Sequence, residues 1–306
     1  MTTSTVLVAG DASWDVTTRV DHVPGPDEKV FTSQLVEDVG GVATNAAVAA
    51  ALAGAAVRLA TAVGDDRAGG DCMRRLGERQ VTVDAQVSGV TTRVFIVLDR
   101  AGEKRLILTP GSRMYPPESY CESVDLTGVS WLHTAAYDRA ASTVLVGRCR
   151  GAGIPWSLDL EPATLVDGVT ALAPVLDGAS VVFCNERATH LLGDHPVAAL
   201  RALGVRTVVL TRGRQGADLS DGARTERVAA PRLAEVVDTT GAGDCLAGSF
   251  VAQVSNGARP EDALAYAVTA ASLSCTALGG QSAYPSGAVV RAALARSEAD
   301  RGVATS

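Results

Sequence analysis

Four short apolar runs, at residues 131–134, 155–159, 181–184 and 207–211, are separated by segments with helical patterning at 141–150, 188–192 and 197–203. This alternation constrains the fold more than any other feature of the chain. A strand, a helix and a second strand in that rhythm pair in parallel, and the crossover helices then cover both faces of the sheet. Apolar runs at 6–9 and 57–62 extend the same sheet, and Ala-rich stretches at 45–53 and 263–277 supply close-packing helices. With 47% hydrophobic residues among 306, the chain can bury a large single core. The expected fold class is α/β, with a mainly parallel central sheet between two helical layers, formed as one domain over residues 1–306.

Two segments break the rhythm. Residues 15–23 and 29–36 alternate polar and apolar positions around Pro24-Gly25-Pro26-Asp27, and residues 92–99 and 105–109 flank Ala101-Gly102. Both read as β-hairpins. They are expected to form a small sheet of their own, from about 15–37 and 92–110, positioned to act as a lid.

Composition removes several function classes. No uninterrupted apolar run reaches about 18 residues, so no membrane-spanning helix is expected. The net charge of −7 and the absence of a Lys/Arg run argue against a nucleic-acid partner. Six cysteines lie far apart without a CxxC pair, which fits free thiols in a reducing cytoplasm. The four His, at 22, 133, 190 and 195, have no metal-ligand spacing and read as surface or internally satisfied residues.

The chemistry concentrates at residues 236–245, Val-Val-Asp-Thr-Thr-Gly-Ala-Gly-Asp-Cys. A glycine-rich helix start offers backbone N–H groups to an anion. Asp244, in the first helical turn, stands where a carboxylate could deprotonate a substrate hydroxyl. By itself the segment could equally be a strand-to-helix turn with an Asp at a capping position. Its companions are Asp15, ahead of the first hairpin, and Gly40-Gly41-Val42-Ala43-Thr44-Asn45, which leads into a helix. Glycines admit a small polar ligand to the backbone, and Asp and Asn together suit vicinal hydroxyls. Residues 63–69 form a turn after a strand and read as scaffold.

In this order the motifs resemble those of the ribokinase/PfkB family of carbohydrate kinases. Gly40-Gly41 through Asn45 is similar to its N-terminal signature, Asp238 through Asp244 to its DTxGAGD signature, and Ala60 through Gly69 to its GxxGxDxxG stretch. The resemblance implies a ribokinase-like three-layer α/β/α fold with a β-sheet lid, and a phosphotransferase that moves the γ-phosphate of ATP to a sugar hydroxymethyl group. Asp244 would be the general base, and the N–H groups of Gly241, Ala242 and Gly243 the anion hole. Asp15, Ser13, Gly40, Gly41 and Asn45 would hold the sugar. Thr211, Gly213 and Gly216 resemble the family's TxGxxG turn at the nucleotide, Gly279 lies in the loop under the adenine, and Asn185 begins its N-x-x-E motif. Mg²⁺ is implied as cofactor, and a K⁺ site built partly from carbonyls near Asp238 and Thr240. Lids of this kind pair, so a homodimer through the lid is expected.

Three departures bear on substrate and catalysis. Ala188 occupies the last position of N-x-x-E, which weakens a Mg²⁺ assignment there. Ser13 and Val42 stand where ribokinases have Asn and Lys, which argues against ribose. Lys29, with Arg105 and Arg113, could face an anionic acceptor such as a sugar phosphate or sugar acid. A nucleoside is a further option, with only Trp14 and Phe31 near enough to the sugar motifs to stack a base. A reading from another class is a catalytically silent binding or regulatory protein; Ala188 favours it and the intact Asp244 opposes it.

Overall fold

The structure, a computed structural model, describes residues 5–111 and 113–304. The first half contains β1 (Thr5–Ala9), β2 (Ser13–Arg19), β3 (Leu35–Gly40), α1 (Val42–Leu52), β4 (Ala56–Val63), α2 (Arg67–Glu78), β5 (Val81–Val87), β6 (Arg93–Leu98), β7 (Lys104–Thr109), α3 (Glu118–Ser123), β8 (Val129–Thr134) and α4 (Arg139–Gly151). It continues with β9 (Trp156–Leu160), α5 (Ala173–Leu176), β10 (Val181–Asn185), α6 (Glu186–Leu191), α7 (Pro196–Ala202), β11 (Thr207–Thr211), β12 (Ala217–Ser220), β13 (Thr225–Val228), α8 (Ala242–Ser255), α9 (Pro260–Ser274) and α10 (Gly287–Ala304).

Among the described residues, nine strands form the main sheet in the order β13-β12-β11-β10-β9-β8-β1-β4-β5. The run from β11 to β5 is parallel throughout; β12 and β13 add an antiparallel edge. Its strands are apolar on both sides because both sides are covered. In β1, Val6 and Val8 join one core with Phe183, Phe250 and the Ala-rich α1, while Leu7 and Ala9 join a second core with Leu132, Leu158 and Leu145. Helices α1, α8 and α9 make one outer layer, and α4 and α5 belong to the other. Small residues set the spacing of the first layer. A Cβ on Gly248 of α8 would lie 2.1 Å from the carbonyl oxygen of Ala46 in α1, so these helices meet backbone to backbone.

Four strands form the second sheet, in the order β3-β2-β6-β7. The two hairpin segments expected from the sequence do come together, but β2 and β6 join them in parallel, with Asp15 opposite Val94. The first segment differs from the expected tight hairpin. Residues 20–34 are an irregular connection, and β3 begins only at Leu35. β2 and β3 still pair antiparallel, from Ser13 opposite Gly40 to Thr18 opposite Leu35, but the Pro24-Gly25-Pro26-Asp27 break lies inside a long connection rather than a tight turn. Val94, Ile96 and Leu98 face inward and pack against Leu278, whereas Leu35, Phe95 and Ile107 lie exposed on the opposite side. The strands β5, β12 and β13 were not anticipated from sequence; the last two follow glycine turns, which masked their short runs.

Candidate active site

In a parallel sheet the loops after the carboxyl ends of the strands converge on one edge, and ligands bind there. Asp11 follows β1, Tyr137 follows β8, Asp159 lies at the end of β9 with Glu161 just after it, and Asn185 ends β10. Helices α1 and α8 deliver the two glycine-rich segments to the same edge.

Asp244 sits in the first turn of α8 and is 7% exposed. Gly241 caps that helix with φ 74°, a left-handed conformation that a side chain would strain; a Cβ there would also come within 2.5 Å of the Gly280 carbonyl oxygen. The first N–H groups of a helix lack intrahelical acceptors. That of Ala242 reaches the Thr239 carbonyl only at 3.3 Å, so this end of α8 keeps its donors for an anion.

Asn45 connects the two signatures. Its Nδ2 donates to Asp244 Oδ2 at 2.7 Å, and its Oδ1 accepts from Gln281 Nε2 at 2.7 Å. Gln281 also donates to the Val39 carbonyl at 3.0 Å and accepts from Arg79. Tyr284 donates to the Gly241 carbonyl at 2.6 Å and fixes the turn from the other side.

Asp15 lies on β2 directly opposite Asp38 of β3. A Cβ on Gly40 would fall 1.9 Å from the Asp15 carboxylate, so glycine there makes room for it. Ser13 donates to Asp15 Oδ1 at 2.6 Å. Asp11 accepts from the N–H groups of Val42 and Ala43, at 3.1 and 3.0 Å, beyond the Gly41 cap at the start of α1. Lys29 is exposed in the 20–34 connection and forms no hydrogen bond or ion pair among the described residues. Arg105 and Arg113 are exposed too. Phe31 is 94% exposed, and Trp14 is covered by the Arg75 guanidinium at 5.0 Å, so neither aromatic stacks at the acceptor end.

Burial dominates the electrostatics. It raises Asp244 well above the ordinary carboxylate range, with the like charges of Asp159 and Glu161 adding to the shift and the Asn45 hydrogen bond opposing it. Burial lifts Asp159 to about 7, and it lifts Asp15 to about 6 with help from Asp11 and Asp38. Asp38 itself is paired with Arg75 and Arg79.

The nucleotide-type residues gather elsewhere along the cleft. A cavity of about 710 Å³ is lined by Thr211, Gly213, Gly216, Ala242, Gly243 and Leu246. Asp238 is 3% exposed and spends its carboxylate on the loop: Oδ1 accepts from the Thr240 amide and hydroxyl at 2.9 and 2.6 Å, and Oδ2 from the Gly279 amide at 3.0 Å. Asn185 caps α6 by accepting from the Ala188 N–H at 2.9 Å, and Ala188 is fully buried in the core.

The sequence reading missed Asp11, Asp159, Glu161, Gln281 and Tyr284. The first three end or follow expected strands, so the carboxyl-edge rule could have flagged them. Gln281 and Tyr284 carry no local signal.

Residues 3–287 match the pfkB family carbohydrate kinase family. The chain belongs to that family. The kinase is 27% identical to a ribokinase of Bacillus subtilis, over 92% of this chain and 96% of that one. It is 30% identical to an ATP-dependent ribose-1-phosphate kinase of Halopiger xanaduensis, over 93% and 96%. Its fold is shared with the crystal structure of a ribokinase from Thermotoga maritima, at a TM-score of 0.80 and 24% identity over 96% of this chain and 99% of that one. The fold is therefore ribokinase-like, and the protein is a phosphotransferase that acts on a sugar alcohol group.

Proposed function

We propose that this kinase transfers the γ-phosphate of ATP to the hydroxymethyl group of a sugar, with Asp244 as the general base. The observation that carries the reading is the Asn45–Asp244 hydrogen bond of 2.7 Å, which joins two signatures 199 residues apart around one buried carboxylate. Asp244 accepts the hydroxyl proton as the oxygen attacks. The N–H groups of Gly241, Ala242 and Gly243, aimed by the α8 dipole, receive the transferring phosphoryl group. Asn45 keeps one N–H for a sugar hydroxyl while the other aims Asp244. Asp15, steadied by Ser13 and given room by Gly40, takes a further hydroxyl, with Gly41 beside Asp11. The cavity at Thr211, Gly213 and Gly216 receives the nucleotide, with Gly279 held beside it by Asp238. The small sheet closes as a lid and excludes water.

Among the described residues no cluster of His, Cys, Asp or Glu is arranged to hold a metal alone. The raised carboxylates Asp159, Glu161 and Asp244 fit a cation that arrives with the phosphates, since Mg²⁺ keeps several waters and takes one or two carboxylates. When bound, Mg²⁺ neutralises phosphate charge. Asp159 and Glu161 are then the carboxylates nearest in role to the one missing at 188. For K⁺, main-chain carbonyls near Asp238 and Thr240 are the proposed donors, because the Asp238 side chain is already saturated.

ADP release across a panel of sugars, sugar phosphates, sugar acids and nucleosides, with Asp244→Asn as control, tests the reading. Acceptor-stimulated turnover that the variant lacks is expected. Its absence with every acceptor would sink the kinase reading in favour of a silent binding protein. The exposed Leu35, Phe95 and Ile107 face supports homodimerisation through the lid; Ile107→Lys is expected to give a monomer by light scattering, and a monomeric parent chain would overturn the idea. With no membrane-crossing helix among the described residues and no basic surface run, the proposed setting is the cytoplasm, without membrane or nucleic-acid partners.

A further inference from the structure

The Asn45 amide has two chemically opposite ends, and the proposed chemistry needs the donor end on Asp244. Nothing in Asn45 itself selects that end. The selection starts two side chains away, at Arg79, which caps the end of α2. A guanidinium donates and never accepts. Arg79 Nη1 donates to Gln281 Oε1, and Nη2 donates to Asp38, on strand β3 of the second sheet.

Gln281 follows α9 and is 6% exposed. Its oxygen faces Arg79, and its nitrogen faces two acceptors, the Val39 carbonyl at 3.0 Å and Asn45 Oδ1 at 2.7 Å. A reversed Gln281 amide would set its NH2 against the guanidinium and its oxygen against the Val39 carbonyl. A reversed Asn45 amide would set two NH2 groups against each other at 2.7 Å. Either reversal strands buried polar groups, which costs more than a made hydrogen bond contributes. Asn45 therefore keeps Nδ2 on Asp244 Oδ2, at 2.7 Å. A donor there favours the ionised carboxylate, whereas burial and the neighbouring carboxyls of Asp159, Glu161 and Asp11 favour the protonated one.

We propose that Arg79 and Gln281 are positioning residues for phosphoryl transfer. A one-way relay of hydrogen bonds, from guanidinium to Gln281 to Asn45, holds a donor on Asp244 and leaves the second Asn45 N–H for the acceptor. This rests on Asp244 as the base and deepens that reading. Both residues act through Asn45.

Kinetics with the acceptor that gives turnover in the panel above test the relay. Gln281→Leu keeps the bulk and removes the relay, so kcat is expected to fall about 10-fold or more. KM for ATP should stay within about twofold. Arg79→Leu leaves Asp38 paired with Arg75 but frees the Gln281 amide to turn, and a similar loss is expected. Arg79→Lys still only donates and should recover most of that loss. The Arg79→Leu/Gln281→Leu double variant should match Gln281→Leu within about twofold, because members of one relay are not additive. A merely structural role would instead raise KM for ATP, since Cys275, just ahead of this loop, lines the nucleotide cavity, and kcat would hold.

A second readout needs no turnover. The chain has three asparagines, Asn45, Asn185 and Asn256, so Asn-selective 15N labelling resolves the Asn45 amide, identified by its loss in Asn45→Ala. One of its protons is expected to exchange slowly with solvent in the native chain and in Arg79→Lys, and fast in both leucine variants. Should one leucine variant fail to fold, the other carries the test. Native-like kcat or native-like Asn45 exchange in a folded leucine variant overturns the proposal. Relay-dependent exchange in a chain that turns over no acceptor supports the relay and identifies the kinase reading as the one that failed.

Discussion

At the proposed acceptor end of the cleft the groups are side chains buried by packing: Asp15 beside Gly40, Asn45 on a fully packed helix, Asp244 behind Gly241. At the proposed nucleotide end they are main-chain groups and glycines around an open cavity of about 710 Å³. The contrast teaches where the sensitivity of this kinase lies. Burial raises these carboxylates, and at Asp244 and Asp15 neighbouring like charges add to the shift, so a change at one retunes its neighbours. A cradle made of backbone responds to shape and hardly to charge.

The sharpest way to break the comparison is at the proposed base. Asp244→Asn is expected to lower kcat by roughly 10²–10⁴-fold while nucleotide affinity, measured by titration, stays within about twofold. Equal losses at both ends would mean that the ends are not separable. Gly241→Ala comes next. The left-handed backbone and the 2.5 Å approach to Gly280 leave no room for a methyl group, so destabilisation of about 1–2 kcal/mol and weakened ATP binding are expected. Thermal melting and titration read both, and native-like values would remove the cradle argument.

Asn45→Ala should cut kcat/KM by about 10–100-fold, and its pH profile is the more telling measurement. A base must be unprotonated, so the rate falls as pH drops through the raised pKa of Asp244. Removing the Asn45 hydrogen bond, which lowers that pKa, should move the acid limb upward. Asp159→Asn, which removes a like charge, should move it downward. Shifts in the same direction for both variants would contradict the electrostatics described here.

The smallest effect concerns stability. Burial lifts Asp159 from an ordinary 3.8 to about 7. Below about pH 4 both folded and unfolded chains keep this proton. Between about 4 and 7 the unfolded chain releases it first, so the folded state loses stability as pH rises, and the deficit is constant above. Asp159→Asn is therefore expected to raise Tm by about 2–4 °C at pH 8 and to leave it unchanged at pH 4. A gain of equal size at both pH values would point to packing rather than charge.

Much of the site was legible in order along the chain. The strand-helix alternation announced a parallel sheet, and the segments around Asn45 and Asp244, singled out for a proposed sugar and phosphate, do meet in space. Lys29 misled because charge in a sequence carries no direction, and here it lies in an irregular connection open to solvent. The absence of a carboxylate at Ala188 looked like damage to the metal site. That position is buried in the core, and Asp159 and Glu161 bring carboxylates to the neighbouring strand end instead.

By itself the sequence determined the layered α/β architecture and the small second sheet, and it marked Asp244 and its glycines as the proposed base and cradle. These depend on local periodicity and on backbone conformations that only certain residues adopt. Tertiary structure alone decided that Asn45 bridges to Asp244 across 199 residues, that Gln281 and Tyr284 brace the pair, and that Tyr137 meets Glu161. Those contacts come from separate segments brought to one sheet edge, and the energy of burying a carboxylate depends on what surrounds it there rather than on its neighbours in the chain.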